Sequence, residues 1–253
     1  MNPKYLRISF SFFVLVGLLG GYIAPVYSLG DVKINSSSSF HSSATDALLV
    51  FGEVENIGDV AAKSIMVTAK FFDSSNQKIA IQEGYTDLDI LHPGRKSPFW
   101  IILDKEDGSL NVHNYTLFVS WTNFPRGQEL GLEIFNIDDY VDILGDFTVT
   151  GEIENQGTVR ARSVKAIVTF YDSSGVVVGS AWEYTDPEDL EPSQRGNFEV
   201  YFIYTGSVEI ATYSISAESL EYGLIAEFPS WIILPLFMMA TLLAVTIYRK
   251  KLK

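Results

Sequence analysis

Carboxylates in two matching loops are the residues whose types and spacing could bind a metal. Asp186, Glu188 and Asp189 lie close together in one loop, and Asp87 and Asp89 stand at matching places about 99 positions earlier. Carboxylates on alternate loop positions can converge on Ca²⁺. They can equally cap a turn by accepting backbone N–H bonds, and we favour that interpretation. We therefore expect no metal and no other cofactor, with these loops as weak calcium candidates.

Other site chemistry has little support in this sequence. There is no cysteine, which excludes thiol catalysis and cysteine metal sites. His41, His92 and His113 lack the spacing of a zinc site, and no P-loop, Gly-x-Ser-x-Gly or dinucleotide-binding motif occurs. We therefore predict that the chain has no catalytic residues and is not an enzyme. A second weak calcium candidate lies further along the chain: Asp138, Asp139 and Asp142.

An internal duplication supplies the elements that must position these loops. Residues 52–99 align with residues 151–198 without a gap, and about 18 of the 48 aligned positions are identical. Gly-Glu-Val-Glu-Asn-Ile-Gly at Gly52–Gly58 returns as Gly-Glu-Ile-Glu-Asn-Gln-Gly at Gly151–Gly157. A period near 100 residues is too long for a solenoid unit and matches one small domain. The chain therefore contains two copies of one module.

Alternating apolar and polar residues predict strands around the loops. Leu48–Val54 and Ile65–Phe71 place an apolar residue or glycine at every second position, with Glu53 among the outward ones. Residues 149–153 and 164–170 repeat the pattern in the second copy. A period of two is typical of half-buried strands, so the inward rows should form the core.

The same alternation makes three local predictions. Asp31–Asn35 predicts a first strand, and the serine-rich stretch Ser36–Ser43 predicts a polar loop. Thr169 should point outward from its strand and be exposed.

The fold class follows from the number of strands and their spacing. Each repeat contains six or seven short predicted strands with turn residues about every ten positions, and helical periodicity does not appear before residue 229. We predict an all-β fold with two tandem antiparallel sandwiches of immunoglobulin-like or fibronectin-like order. They should span residues 31–124 and 131–219, with a short linker at 125–130 that sets them end to end. A small barrel is the alternative.

The N-terminal segment predicts export. Residues 1–28 combine Lys4 and Arg7 with the apolar run Phe10–Ile23, and cleavage after Ser28 would fit a secretory signal. An uncleaved anchor is the alternative. Export would make the sequons at Asn35 and Asn114 candidates for N-glycosylation.

The C-terminal segment predicts a membrane helix. Trp231–Tyr248 is apolar apart from two threonines, and as a helix it would be about 27 Å long, close to the hydrocarbon thickness of a bilayer. The basic cluster Arg249–Lys251 follows at once and should stay cytoplasmic, which leaves the repeats outside the cell.

Glu227, Phe228 and Pro229, followed by this apolar segment and a basic end, resemble the PEF-CTERM sorting signal of archaeal surface proteins. The resemblance covers residues 227–253, and the chain departs from the family pattern at Ala226, where proline is usual. It implies processing by an archaeosortase, a membrane transpeptidase that removes the helix and leaves the protein on the cell surface. A permanent transmembrane anchor is the alternative.

The repeats resemble the FxLYD-type domain, a small β domain of secreted and membrane-anchored prokaryotic proteins. The matching elements are Gly151–Gly157, Thr169–Asp172 and Tyr184–Pro192, and the first repeat departs at Phe72 and Leu88. The resemblance implies a surface module without a defined activity.

Charge narrows the choice of partners. The chain holds 18 Lys and Arg and 31 Asp and Glu; residues 1–28 and 227–253 take six of the former and one of the latter, so residues 29–226 hold 12 and 30. Such an acidic surface repels nucleic acid. We predict a non-enzymatic protein that displays its modules for envelope structure, adhesion or binding to an unidentified extracellular partner. The alternative is an accessory binding subunit of a membrane complex or transporter.

Overall fold

A computed structural model describes residues 31–143, 145–202 and 209–225. The predicted signal peptide, the sorting motif at Glu227, Phe228 and Pro229, and the segment Trp231–Lys253 lie outside the described residues. Among the residues described, no helix is long and apolar enough to cross a membrane.

The described residues form an all-β fold, as the alternation predicted. Seven strands lie in the first half: β1 (Val32–His41), β2 (Leu48–Asn56), β3 (Ala61–Phe72), β4 (Lys78–Tyr85), β5 (Ile90–Leu91), β6 (Lys96–Leu103) and β7 (Asn114–Phe124). Seven follow: β8 (Glu129–Val141), β9 (Phe147–Asn155), β10 (Lys165–Tyr171), β11 (Val177–Tyr184), β12 (Arg195–Phe202), β13 (Thr212–Glu218) and β14 (Tyr222–Leu224). Two 3₁₀ turns, Lys105–Asp107 and Ser109–Asn111, precede β7.

The first repeat forms two sheets around one hydrophobic cluster. One sheet has the order β1-β2-β6, and in the other β3 pairs with β4, β5 and β7. The predicted inward rows of β2 and β3 are confirmed, since Val50, Val54, Val67 and Phe71 are fully buried. Gly52 leaves room for the ring of Phe99 on β6, because a Cβ at this position would lie 2.4 Å from that ring.

The second repeat encloses its own hydrophobic cluster with one continuous seven-stranded sheet. The strand order is β11-β10-β13-β14-β8-β9-β12, and β14 joins the two sides by pairing with β13 and, in parallel, with β8. Val149, Ile153, Val168 and Phe170 are fully buried, again as predicted. The strands also extend past the predicted module, since β8 begins at Glu129 and β14 follows residue 219.

The repeated sequence signature builds the same turn in both copies. The buried Asn56 side chain donates to the Val60 and Leu91 carbonyls at 2.8 Å, and its oxygen accepts the Gly58 N–H at 3.0 Å. Asn155 makes the same three bonds to Val159, Leu190 and Gly157. The Asn-x-Gly part of the repeated pattern is therefore explained by backbone satisfaction, which buried polar groups require.

Two local predictions are wrong, for one reason. Most of the stretch Ser36–Ser43 is not a polar loop, because β1 continues to His41 in register with β2 and Ser38 donates to the Val177 carbonyl of the second repeat at 2.6 Å; Ser42 and Ser43 begin the turn that follows. Thr169 is not exposed but only 4% accessible. Both stretches lie where the two repeats pack against each other through sheet faces, rather than end to end.

Candidate functional site

The outer row of β10 meets the first repeat and forms a junction between the two copies. Ile167 is 1% exposed and belongs to the hydrophobic cluster of the first repeat. At one end of the row Lys165 donates to the Asp87 carbonyl at 2.8 Å, and at the other the Tyr171 hydroxyl donates to Glu53. The outward face of one repeat is therefore an interior surface of the whole molecule.

Glu53 is the acceptor at one end of this junction. Alternation predicted it on an exposed face, yet it is 1% exposed, because the second repeat covers it. Its carboxylate is paired with Lys96 at 2.9 Å and accepts the Asn35 amide at 3.2 Å, so its charge is satisfied. Burial, together with the bond to Glu53, raises the pKa of Tyr171, and the phenol therefore stays protonated as the donor.

A buried ion pair fixes the other end of the junction. Lys165 and Glu218 lie opposite each other on β10 and β13, with 2.8 Å between Nζ and Oε1 and side chains only 15% and 4% exposed. Glu218 also accepts the Asp89 N–H of the first repeat at 2.8 Å. Burial raises the pKa of Glu218. For Lys165 burial acts to lower the pKa, but the charge and hydrogen bond of Glu218 together with the charges of Asp89 and Asp87 raise it. The pair connects the repeats by charge-assisted bonds.

Asp87, one of the sequence-predicted loop carboxylates, also belongs to this junction. Its Oδ2 accepts the Ser180 hydroxyl of β11 at 3.1 Å. Desolvation raises the pKa of Asp87 to about 6, although the bonds from Ser180 and the charge of Lys165 act in the opposite direction. The Asp87 loop therefore serves as a contact between repeats.

The calcium candidates of the second repeat do not converge on one point. Asp189 accepts the Ser163 N–H at 2.9 Å and pairs with Arg160 at 2.6 Å, and the pKa of Asp189 is lowered first by that backbone bond. Glu188 is exposed, and Asp186 is exposed beside β12. In the described ranges, no three His, Asp or Glu residues are grouped so as to hold a metal ion.

The second calcium candidate and the two sequons make local hydrogen bonds or are exposed. Asp139 accepts the Tyr213 hydroxyl at 3.0 Å, and Asp138 caps the Asp139 N–H. Asn114 is exposed at the start of β7, whereas the exposed Asn35 uses its side-chain nitrogen to bond Glu53.

The second repeat leaves open the face that is covered in the first. Glu152 on β9 accepts the Asn136 amide at 3.0 Å and pairs with Arg195 at 2.9 Å. This arrangement matches Glu53 with Asn35 and Lys96, but Glu152 is only partly buried. An open groove of about 670 Å³ lies above it, lined by further polar and aromatic residues that include Asp186, Glu199 and Tyr201. We call this surface, formed by the outer side of β8, β9 and β12, the acidic face.

Sequence reasoning missed the junction residues Lys165, Tyr171 and Glu218. The signal that could have found them is the difference between aligned positions. The first repeat has Met66 and Phe72 where the second has Lys165 and Tyr171. A charged or hydroxyl group at an outward strand position in one copy only indicates a contact that the other copy does not make.

Comparison with known proteins adds little to this geometry. No family model matches the chain, and no curated protein matches it. Among solved structures, a crystal structure of red sea bream transglutaminase is similar at a TM-score of 0.26 with 10% sequence identity, covering 80% of this chain and 31% of that chain. A TM-score this low gives no information on activity.

Proposed function

We propose that this chain is a non-enzymatic cell-surface protein with two tandem immunoglobulin-like or fibronectin-like sandwich modules, displayed for envelope structure, adhesion or binding. The proposal rests on where the charged groups of the chain lie and what they contact. Glu53, Lys165 and Glu218 are buried and satisfied within the junction, where they join the two repeats. Their role is therefore to present the two repeats as one unit, and the acidic face remains available for contact.

The proposed location rests on the two ends of the sequence. A cleaved signal over residues 1–28 would export the repeats, and the segment 227–253 would hold the protein at the membrane. The resemblance of Glu227, Phe228 and Pro229 to a PEF-CTERM signal supports processing by an archaeosortase. The resemblance of the repeats to FxLYD-type domains supports surface display.

The experiment follows the fate of the C-terminal segment in native envelope. C-terminal peptide mass spectrometry should find no peptide from beyond residue 230, and replacing Glu227, Phe228 and Pro229 by alanine should restore the full-length species. Protease treatment of intact cells should release peptides of residues 31–225. Recovery of an intact Lys253 terminus from wild-type cells would remove the sorting proposal, and failure of surface proteolysis would remove surface display.

The open acidic face favours one alternative function. Tyr201 on β12 is 53% exposed beside Glu199, and exposed aromatic residues near charged groups are common in binding surfaces. The protein would then be an accessory binding subunit of a membrane complex or transporter, held by a permanent helix at Trp231–Tyr248. Retention of Lys253 together with copurification of a membrane partner would favour this alternative.

A further inference from the structure

The junction between the repeats is a head-to-tail contact. It joins the outer face of β10, β11 and β13 in the second repeat to the outer face of β1, β2 and β6 in the first. We call the side of β10, β11 and β13 the donating face and the side of β1, β2 and β6 the receiving face. They lie on different sides of the module, so each repeat has one donating and one receiving face. Because the junction uses one donating and one receiving face, one donating face and one receiving face remain uncovered in the molecule.

The unused receiving face is the acidic face of the second repeat. It repeats the polar framework of the first repeat, with Glu152, Asn136 and Arg195 in the places of Glu53, Asn35 and Lys96. Its outward positions also carry Glu199 on β12, where the first repeat has Trp100. The receiving face thus keeps the same polar framework in both repeats, but an apolar side chain of the first repeat is replaced by an acidic one in the second.

The unused donating face is the outer side of β3, β4 and β7 in the first repeat, which we call the lysine face. Register with β4 and β7 places three lysines on it, Lys63, Lys70 and Lys78, against one carboxylate, Glu83. This concentration is notable in a chain of net charge −13. The face also exposes aromatic surface, since Phe118 is 51% exposed beneath the Lys70 ammonium.

We propose that the lysine face of one molecule docks on the acidic face of a second copy of this chain, so that the molecules associate head to tail. Lys70 aligns with Thr169, in the row that meets Glu53 in the existing junction. The repeat register therefore brings Lys70, in the place that Thr169 takes in the existing junction, to the surface around Glu152. Complementary charge at these positions selects this orientation over a contact between two acidic faces.

The association is weaker than the junction within the chain. Phe51 and Tyr171 have Thr150 and Phe72 as their counterparts, so the apolar contact of Phe51 and the hydroxyl bond to Glu53 are both missing. Attraction between exposed charges falls with ionic strength, because the screening length drops from about 10 Å at 0.1 M salt to about 3 Å at 1 M. Self-association should therefore be seen at low salt and high protein concentration. The inference does not depend on where the protein resides.

The test measures the molar mass of the full-length chain by sedimentation equilibrium, in a mild detergent that keeps its apolar ends apart. In about 20 mM salt the mass should rise with concentration, and in about 1 M salt it should fall to that of one chain. Lys70→Glu on the lysine face and Glu199→Lys on the acidic face should each weaken association at least tenfold. Glu188→Lys, an acid-to-lysine change at an exposed residue that does not line the groove of the acidic face, is the matched control and should change association much less.

Mixing the two variants gives the decisive result. Each keeps one intact face, so an equimolar mixture should associate at least to a dimer, in which the intact lysine face of one variant meets the intact acidic face of the other. This rescue also shows that both variants are folded. A wild-type chain that keeps the mass of one molecule at every concentration in low salt overturns the proposal. So does a mixture that stays monomeric, or a Glu188→Lys control that weakens association as much as Glu199→Lys.

Discussion

The two repeats share their inward rows but differ in the fate of their outward rows. Phe71 and Phe170 are both fully buried at matching positions, and Asn56 and Asn155 make the same three bonds. Glu53 and Glu152 also match in sequence and in local partners, yet only Glu53 is closed off from water. A duplicated module therefore keeps its core and acquires its differences on the surfaces where the copies meet.

The comparison also distinguishes inward residues, which form the core of each repeat, from outward residues, which hold the two repeats together. Substitutions at inward positions should have the same effect in both repeats, because the environment is the same. Substitutions at outward positions should matter only where the other repeat covers them. Four predictions test this difference, in order of decreasing expected effect.

Removing the central phenylalanine should be severe in either repeat. Phe71→Ala and Phe170→Ala should each lower the free energy of unfolding by about 3–5 kcal/mol, since the side chain is fully buried and leaves a cavity. Chemical denaturation of the two variants would measure this. Phe118→Ala, at an exposed position of the first repeat, is the control and should have little effect. Costs that differ by more than about 2 kcal/mol would contradict equal core environments.

Breaking the buried ion pair between Lys165 and Glu218 should destabilise only the contact that the second repeat makes with the first. Lys165→Met introduces the residue found at the matching position, Met66, and leaves Glu218 buried without its cation. The expected loss is about 3 kcal/mol. Adding Glu218→Ser, which copies Ser120 of the first repeat, should restore much of the stability, because no uncompensated charge remains. Thermal melts in which the single variant is as stable as the wild type would show that the pair is not buried.

Removing the Tyr171 hydroxyl should have an intermediate effect. Tyr171→Phe copies Phe72 and deprives buried Glu53 of one donor, which should cost about 2 kcal/mol because the acceptor is charged. Tyr184→Phe, at an exposed position of the next strand, is the control and should be nearly silent. Equal losses for the two variants in urea denaturation would mean that the Glu53 end of the junction is open to water.

The smallest effect concerns pH. The pKa of Asp87 is about 6 in the folded chain and 3.8 as its ordinary value, so the folded state holds the proton more tightly. Stability from this group is present below about pH 4 and is lost as the pH rises through about 6. Asp87→Asn should therefore match the wild type near pH 4 and gain about 1 kcal/mol over it at pH 7. The exposed Asp186→Asn is the matched control, and a gain for Asp87→Asn that is the same at both pH values would contradict the shift.

The sequence alone determined the duplication, the all-β class and the inward rows of the strands. These features depend on local alternation and on turn residues, which act over a few positions. Asn76 and Gly175, for example, stand at matching turn positions of the two repeats and have φ of 60° and 77°, in the left-handed region that asparagine and glycine tolerate best. Of the loop carboxylates, Asp189 accepts a backbone N–H, but that of Ser163, 26 positions away, and not one within its own turn.

Only the tertiary structure decided which outward residues are buried. Alternation gives the side of a strand on which a residue lies, but not what covers that side. Glu53, Thr169 and Ile167 became interior because the second repeat packs face to face on the first, rather than following it end to end. That packing brings together residues more than 100 positions apart, such as Tyr171 and Glu53, and no local pattern carries this information.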